Sequence, residues 1–127
     1  MFVNMLKGKI HRAKVTDTHL DYVGSITIDK TLLKASGILP GEKVQVVNNN
    51  NGARIETYVL EGKTDSGIIG VNGAASRLFQ PGDIIIIIAY CWLEQKELES
   101  FKPNLVFVDS ENHITEEASH ETHGDIK

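Results

Sequence analysis

Short stretches in which apolar and polar residues alternate, separated by clusters of Gly, Pro, Asn and Asp, run through most of this chain and predict strands joined by tight turns. Residues 2–16 form the first and longest of these strands. Alternation there puts Lys9 and His11 on one face with Met5, Ala13 and Val15, a face that either lines a cavity or belongs to an exposed edge strand. Asp17-Thr18-His19-Leu20 has turn chemistry and leads into a second strand, Tyr22 to Ile28. Asp29 then caps a short helix, Lys30 to Ser36, which Gly37 ends.

Pro40-Gly41 is a turn feeding a strand that closes at Val47, and Asn48 to Gly52 is a hairpin turn, because Asn and Gly tolerate positive φ. The returning strand, Ala53 to Leu60, carries Arg54, Glu56 and Tyr58 on one face and Ile55, Thr57 and Val59 on the other. After a turn from Gly62 to Gly67, Ile68 to Val71 reads as a short buried strand. Asn72-Gly73-Ala74-Ala75 then opens a turn or brief helix through Leu78, whose small residues either admit a ligand close to the backbone or simply pack tightly. Pro81-Gly82-Asp83 lies 41 residues after Pro40-Gly41-Glu42. Each follows a short helical stretch and precedes an apolar strand, a period that suggests two related halves interlocked in one small barrel. Ile84 to Ile88 is a strand, Glu94 to Ser100 reads as helical, and Asn104 to Val108 is the last strand. From Asp109 the periodicity fades, which predicts a flexible tail.

At 127 residues the chain fits a single domain, residues 1–108, followed by the tail, residues 109–127. It is too short for the usual folds that hold pyridoxal phosphate or a dinucleotide, so hard chemistry would need a small or built-in cofactor. No stretch approaches the roughly 18 apolar residues of a membrane span, and the N-terminus lacks the apolar run of a signal peptide; a cytoplasmic protein is expected, with no membrane partner. Of 13 bases and 17 acids, the tail holds one and six, leaving a nearly neutral body with 12 and 11. The absence of a basic stripe argues against nucleic acid. Cys91 stands alone, which excludes an internal disulfide, and it follows an isoleucine run as a packing residue would. His113, His120 and His123 lie in the tail, which does not pre-organise a site, so no metal is expected. A hydrolase triad of Ser25, His11 and an acid is set aside for want of a nucleophile elbow.

The stretch richest in chemistry is Tyr22-Val23-Gly24-Ser25-Ile26. A serine hydroxyl can attack the carbonyl of the residue before it, and glycine at that position removes the Cβ that would resist the bent geometry. The peptide becomes an ester, which eliminates to dehydroalanine and hydrolyses to a pyruvoyl group at the new N-terminus.

Met5-Leu6-Lys7-Gly8-Lys9-Ile10-His11-Arg12-Ala13-Lys14-Val15-Thr16, Tyr22-Val23-Gly24-Ser25-Ile26-Thr27-Ile28-Asp29, Asn51-Gly52-Ala53-Arg54-Ile55-Glu56-Thr57-Tyr58 and Val71-Asn72-Gly73-Ala74-Ala75 together resemble the pyruvoyl-dependent aspartate 1-decarboxylase family. The resemblance covers about residues 1–108. It implies a mainly β fold, a six-stranded double-psi β-barrel, assembled as a homotetramer with sites between subunits. It further implies conversion of L-aspartate to β-alanine and CO2 for pantothenate and coenzyme A synthesis, after autocatalytic cleavage at Gly24-Ser25 into residues 1–24 and 25–127. On this chain Ser25 matches the precursor of a covalent pyruvoyl cofactor and Tyr58 the proton donor. Thr57, Gly73, Ala74 and Ala75 match substrate-binding positions, Lys9 and Arg54 the cations that face the substrate's carboxylates. Gly24, Asn72 and Thr57 match positions of the cleavage step. Val23 and Ile26 depart from members that carry an acid and a cysteine there. A maturation factor is left open as a further partner, as are a pyruvoyl decarboxylase of another amino acid and a non-enzymatic β-barrel binding or regulatory module.

Overall fold

The computed structural model describes residues 1–127, and strands dominate it: β1 (Phe2–Lys14), β2 (Asp17–His19), β3 (Ser25–Asp29), β4 (Lys43–Asn48), β5 (Arg54–Gly62), β6 (Ile69–Asn72), β7 (Ile84–Glu94), β8 (Asn104–Val108) and β9 (Ile114–Ala118). Helix α1 (Lys30–Ser36) joins β3 to β4. Asp29 caps it by accepting from Thr31 N, and Gly37 ends it at φ 72°. Short 3-10 turns cover Gly73–Leu78 and Gln95–Glu97, so the helix expected from Glu94 to Ser100 shrinks to a single turn held by a capping box.

The strands join in the order β2-β6-β3-β5-β4-β7-β1-β8-β9, nine where six were expected. Both edge strands are short and mostly polar, which is why β2 reads as a turn and β9 as tail. β9 pairs antiparallel with β8, and Asn112 just before it is buried. Its side chain accepts from Lys14 N at 2.7 Å and donates to Lys14 O and Gly67 O, each at 2.8 Å. The expectation of a flexible tail is therefore corrected: residues 109–118 are fastened to the body, and Lys9–Glu121 and Lys127–Glu116 ion pairs fold the rest back over it.

The core is aliphatic, with Ile10, Ile26, Ile28, Val44, Val46, Val59, Ile69, Ile85 and Ile87 all at or near full burial. The isoleucine run of β7 alternates: Ile85 and Ile87 face the core, while Ile84, Ile86 and Ile88 are half-buried on the outer side. Strand β1 breaks register against β7 between Leu6 and Gly8 and again between Ile10 and Ala13, where Arg12 takes φ 62°. An extra residue at a bulge exchanges the two faces of a strand. Ala13 and Val15 thus turn into the core and no longer share a face with Lys9 and His11, contrary to simple alternation.

The 41-residue repeat is structural. Gly41 N donates to Val59 O at 2.7 Å and Val59 N to Glu42 O at 3.1 Å; Gly82 N donates to Val15 O at 2.8 Å and Val15 N to Asp83 O at 2.9 Å. Each Pro-Gly turn therefore grips one valine of a distant strand through the same pair of bonds. The acid after each glycine also caps its own turn, Glu42 Oε1 accepting from Leu39 N and Asp83 Oδ2 from Gln80 N, both at 2.9 Å. Both glycines have positive φ, 82° and 95°, which an L side chain resists.

Candidate functional site

Strand β3 begins at Ser25, three residues later than alternation suggests, because Tyr22, Val23 and Gly24 form an exposed segment outside the sheet. Ser25 itself is fully buried. Its hydroxyl donates to Val23 O at 3.1 Å and accepts from Asn72 Nδ2 at 3.0 Å. The same nitrogen of Asn72 donates to Thr27 Oγ1 at 3.0 Å. Asn72 faces Ser25 because β3 and β6 pair antiparallel with these two residues opposite one another.

Gly73 follows with φ 74°, and a Cβ on it would lie 2.6 Å from Gly24 Cα and 2.9 Å from Gly24 N. Only glycine lets this turn close on the Gly24-Ser25 link. Gly24 is itself uncrowded: a Cβ there would meet nothing within 4 Å. Its φ is not in the positive region either, so the folded chain as it stands does not demand glycine at this position.

Strand β5 runs parallel to β3 with Ile26 beside Val59 and Thr27 beside Leu60. Carried back one residue, this register puts Ser25 beside Tyr58. The phenol side of β5 is open, Tyr58 being 38% exposed, and Arg54 lies on the same face two alternations away. Arg54 Nη1 donates to Gln45 Oε1 at 2.8 Å and has no carboxylate partner. Thr57 is on the other face with Ile55 and Val59, half-buried. In the 3-10 turn after Asn72, Gly73 is buried, Ala74 exposed and Ala75 half-buried.

Lys9 is not brought to this group. Cross-strand pairs Lys9–Ile88, Ile88–Gln45 and Gln45–Glu56 set it in a row that crosses β1, β7, β4 and β5. Three strand spacings, about 14 Å, therefore separate it from β5 within one chain. Its ammonium pairs with Glu121 of the tail. His11, two residues on, packs edge-on against Phe107, with ring centroids 5.5 Å apart. Burial, reinforced by the charges of Lys9 and Arg12, holds the pKa of His11 below its ordinary value, and its Nδ1 is buried without a partner.

Thr27 is a residue of this site that motif reasoning misses, although strand alternation from Ser25 puts it on the same face. The Glu121 contact leaves no signal in the sequence. A cavity of about 700 Å3 flanks the Ser25 group, lined by Asp17, His19, Tyr22, Val23, Thr27 and Asn72 among others. Another, of about 610 Å3, lies under the tail beside Lys9 and His11. No helix is long and apolar enough to cross a membrane.

Comparison with known proteins places this geometry in context. The family model described as aspartate decarboxylase matches residues 1–115. The chain is 63% identical over 121 residues to an aspartate 1-decarboxylase of Clostridium botulinum, covering 95% of this chain and 98% of that protein. It is 61% identical over 124 residues to the aspartate 1-decarboxylase of Carboxydothermus hydrogenoformans, with 98% of each chain covered. Among solved structures, the rationally designed mkDPBB_sym1 protein overlays 68% of this chain and 96% of its own with a TM-score of 0.45 and 18% identity.

Proposed function

The chain belongs to the aspartate decarboxylase family, and from that premise we propose that it converts L-aspartate to β-alanine and CO2, serving pantothenate synthesis, after cutting itself between Gly24 and Ser25. The observation that carries the reading is the buried Ser25 hydroxyl, held by Asn72 at the end of an exposed, uncrowded glycine segment.

Attack by Ser25 Oγ on the Gly24 carbonyl carbon forms a C–O bond and breaks the C–N bond, and the hydroxyl proton goes to the freed amine. Asn72 Nδ2 holds the oxygen during this exchange, and the missing Cβ of Gly73 leaves the turn room to bend. Loss of the Ser25 Cα proton expels the Gly24 carboxylate and leaves dehydroalanine; water then converts the enamine to a ketone and releases ammonia. Self-processing thus rests on Gly24, Ser25 and Asn72, with Thr57 one residue from Tyr58 on β5. The residues present fit a pyruvoyl group at position 25: the row beside it offers the Asn72 amide donor and the Tyr58 phenol.

When formed, the pyruvoyl ketone supplies the electron sink that decarboxylation requires. Arg54 has a guanidinium with no carboxylate partner and can clamp one substrate carboxylate bidentately. The Tyr58 phenol is the proton donor of this scheme, handing its hydroxyl proton to the carbon that loses CO2. Gly73, Ala74 and Ala75 give the substrate backbone contacts free of bulky side chains. Lys9 would have to come from a second copy, since about 14 Å of sheet separates it from β5 within one chain. That supports sites between subunits and the homotetramer the family resemblance implies. The matched Pro-Gly turns, each gripping a valine of the other half, support a double-psi arrangement of the core strands, although the sheet has nine strands in an open order and not six in a closed barrel.

Intact-mass spectrometry of the purified protein tests the reading, together with β-alanine release from aspartate. Fragments of residues 1–24 and 25–127, the second starting with a ketone, are expected. A single uncut chain that still makes β-alanine would overturn the mechanism.

A further inference from the structure

We infer that His19 is a positioning residue for the self-cleavage step, holding Tyr22 by ring stacking and thereby the segment that presents the Gly24 carbonyl to Ser25. The inference rests on the self-cleavage reading above. Strand β2 pairs parallel with β6, and β6 antiparallel with β3, so His19, Asn72 and Ser25 occupy one row across three adjacent strands. Residues in such a row share a face. His19 therefore stands one strand beyond the amide that holds the nucleophile.

The ring is fixed from behind. Asp17 Oδ2 lies 2.8 Å from His19 Nε2, while Asp17 Oδ1 accepts from Thr16 Oγ1. Asp17 lies against Gly70, where a Cβ would stand 3.3 Å from Oδ2; a side chain at position 70 would press on the carboxylate. The imidazole stacks on Tyr22 at 4.2 Å between centroids and 14° between planes.

The backbone of the segment it holds rests on the Gly73 turn, but its side chains have no other anchorage. Tyr22 and Val23 are 59% and 76% exposed, and Gly24 is uncrowded. Tyr22 N reaches His19 O at 3.3 Å, and Val23 O takes the Ser25 hydroxyl. Without the stack, the Tyr22 and Val23 side chains lose their one ring contact and the segment keeps only these bonds and the close approach of Gly73 to Gly24 and Tyr22 O, so conformers that bring the carbonyl carbon to Ser25 Oγ become rarer. His19 touches neither reacting atom; it acts through Tyr22.

The test is a time course. The full chain is made by cell-free synthesis, and cleavage is followed by intact mass. His19→Ala and Tyr22→Ala are each expected to slow cleavage roughly threefold to tenfold, the range of an aromatic contact expressed as a rate. His19→Phe and Tyr22→Phe, which keep the stack, are expected to cleave within about twofold of the unaltered chain. Thermal unfolding of the same substitutions in an uncleavable Ser25→Ala background separates positioning from folding, and Tyr22→Ala, on an exposed segment, serves if His19→Ala unfolds. Normal cleavage of both alanine variants would overturn the inference, as would slow cleavage that the phenylalanine variants fail to restore. An unaltered chain that never cleaves would instead overturn the self-cleavage reading, and this inference with it.

Discussion

Asn72 and Ser25 face one another across two antiparallel strands, and a 3.0 Å hydrogen bond from the amide nitrogen of the first to the hydroxyl of the second ties the proposed cleavage point to the sheet. Removing it leaves Ser25 Oγ with Val23 O as its one remaining partner in a buried site. Asn72→Ala is expected to slow self-cleavage roughly fivefold to 150-fold, as loss of a buried hydrogen bond of about 1–3 kcal/mol would. Ser25→Ala should remain one chain of full length without activity. Mass spectrometry against time decides both, and Asn72→Ala cleaving at the normal rate would remove Asn72 from the processing step.

On the proposed mechanism, a change at Tyr58 should separate making the cofactor from using it. Nothing in the serine rearrangement needs a phenol, so Tyr58→Phe should still yield residues 1–24 and 25–127. β-Alanine production should fall by roughly 100-fold to 10,000-fold, the cost of losing a general acid. Near-normal turnover would make Tyr58 an ordinary half-exposed aromatic.

Arg54 is expected to carry specificity. Arg54→Ala should lower kcat/KM for aspartate by roughly 10-fold to 150-fold, the factor for a charge-assisted hydrogen bond of about 1.5–3 kcal/mol. Arg54→Lys should restore it only in part, since an ammonium lacks the fork that grips a carboxylate at two points. Asparagine turned over as well as aspartate would sink the two-carboxylate scheme.

Asn112 is expected to matter for stability and not for chemistry. Its side chain completes three hydrogen bonds to the backbone of Lys14 and Gly67, and its φ of 62° suits Asn better than most residues. Asn112→Ala should cost about 2–4 kcal/mol, since buried backbone groups lose their partners. Urea unfolding in the Ser25→Ala background measures it, and a change under about 0.5 kcal/mol would contradict the clamp.

His11 makes the fold sensitive to acid. Its pKa is lowered in the folded chain, chiefly by burial, so the unfolded chain binds the proton more tightly. Stability is then fully present above the unfolded value near 6.5 and declines as pH falls below it toward the lower folded value. His11→Gln should flatten that part of the stability–pH curve. An unchanged slope in the variant would exclude His11 as its source.

Much of this architecture is legible from residue patterns, and the exceptions have physical causes. Helix α1 is readable because Asp29 and Gly37 mark both ends, and the turn repeat because Pro-Gly pairs recur with an acid after them. Of the β1 bulges, the one beside Gly8 has a local mark in that isolated glycine, which simple alternation passes over, while the one at Arg12 has none. Strand β9 escapes because Ile114-Thr115-Glu116-Glu117-Ala118 has too little apolar character, and its pairing with β8 is a tertiary matter. At the site, the motifs single out Ser25, Asn72 and Tyr58. The distance of Lys9 from them depends on strand order, which no single segment encodes.

The position of β1 has a consequence for the matured protein. Its 13 residues pair with β7 on one side and β8 on the other, so the piece released by a cut after Gly24 is an integral part of the sheet, held without a covalent link. Folding of the precursor is a first-order process within one chain, whereas re-forming the cut protein is second-order and needs two partners to meet. The midpoint of thermal unfolding should then rise with protein concentration for the cut form and stay fixed for the precursor, as far as neither is tied into larger assemblies. Diluted after unfolding, the cut form would not readily recover, and its working lifetime would be governed by the rate at which β1 leaves the sheet.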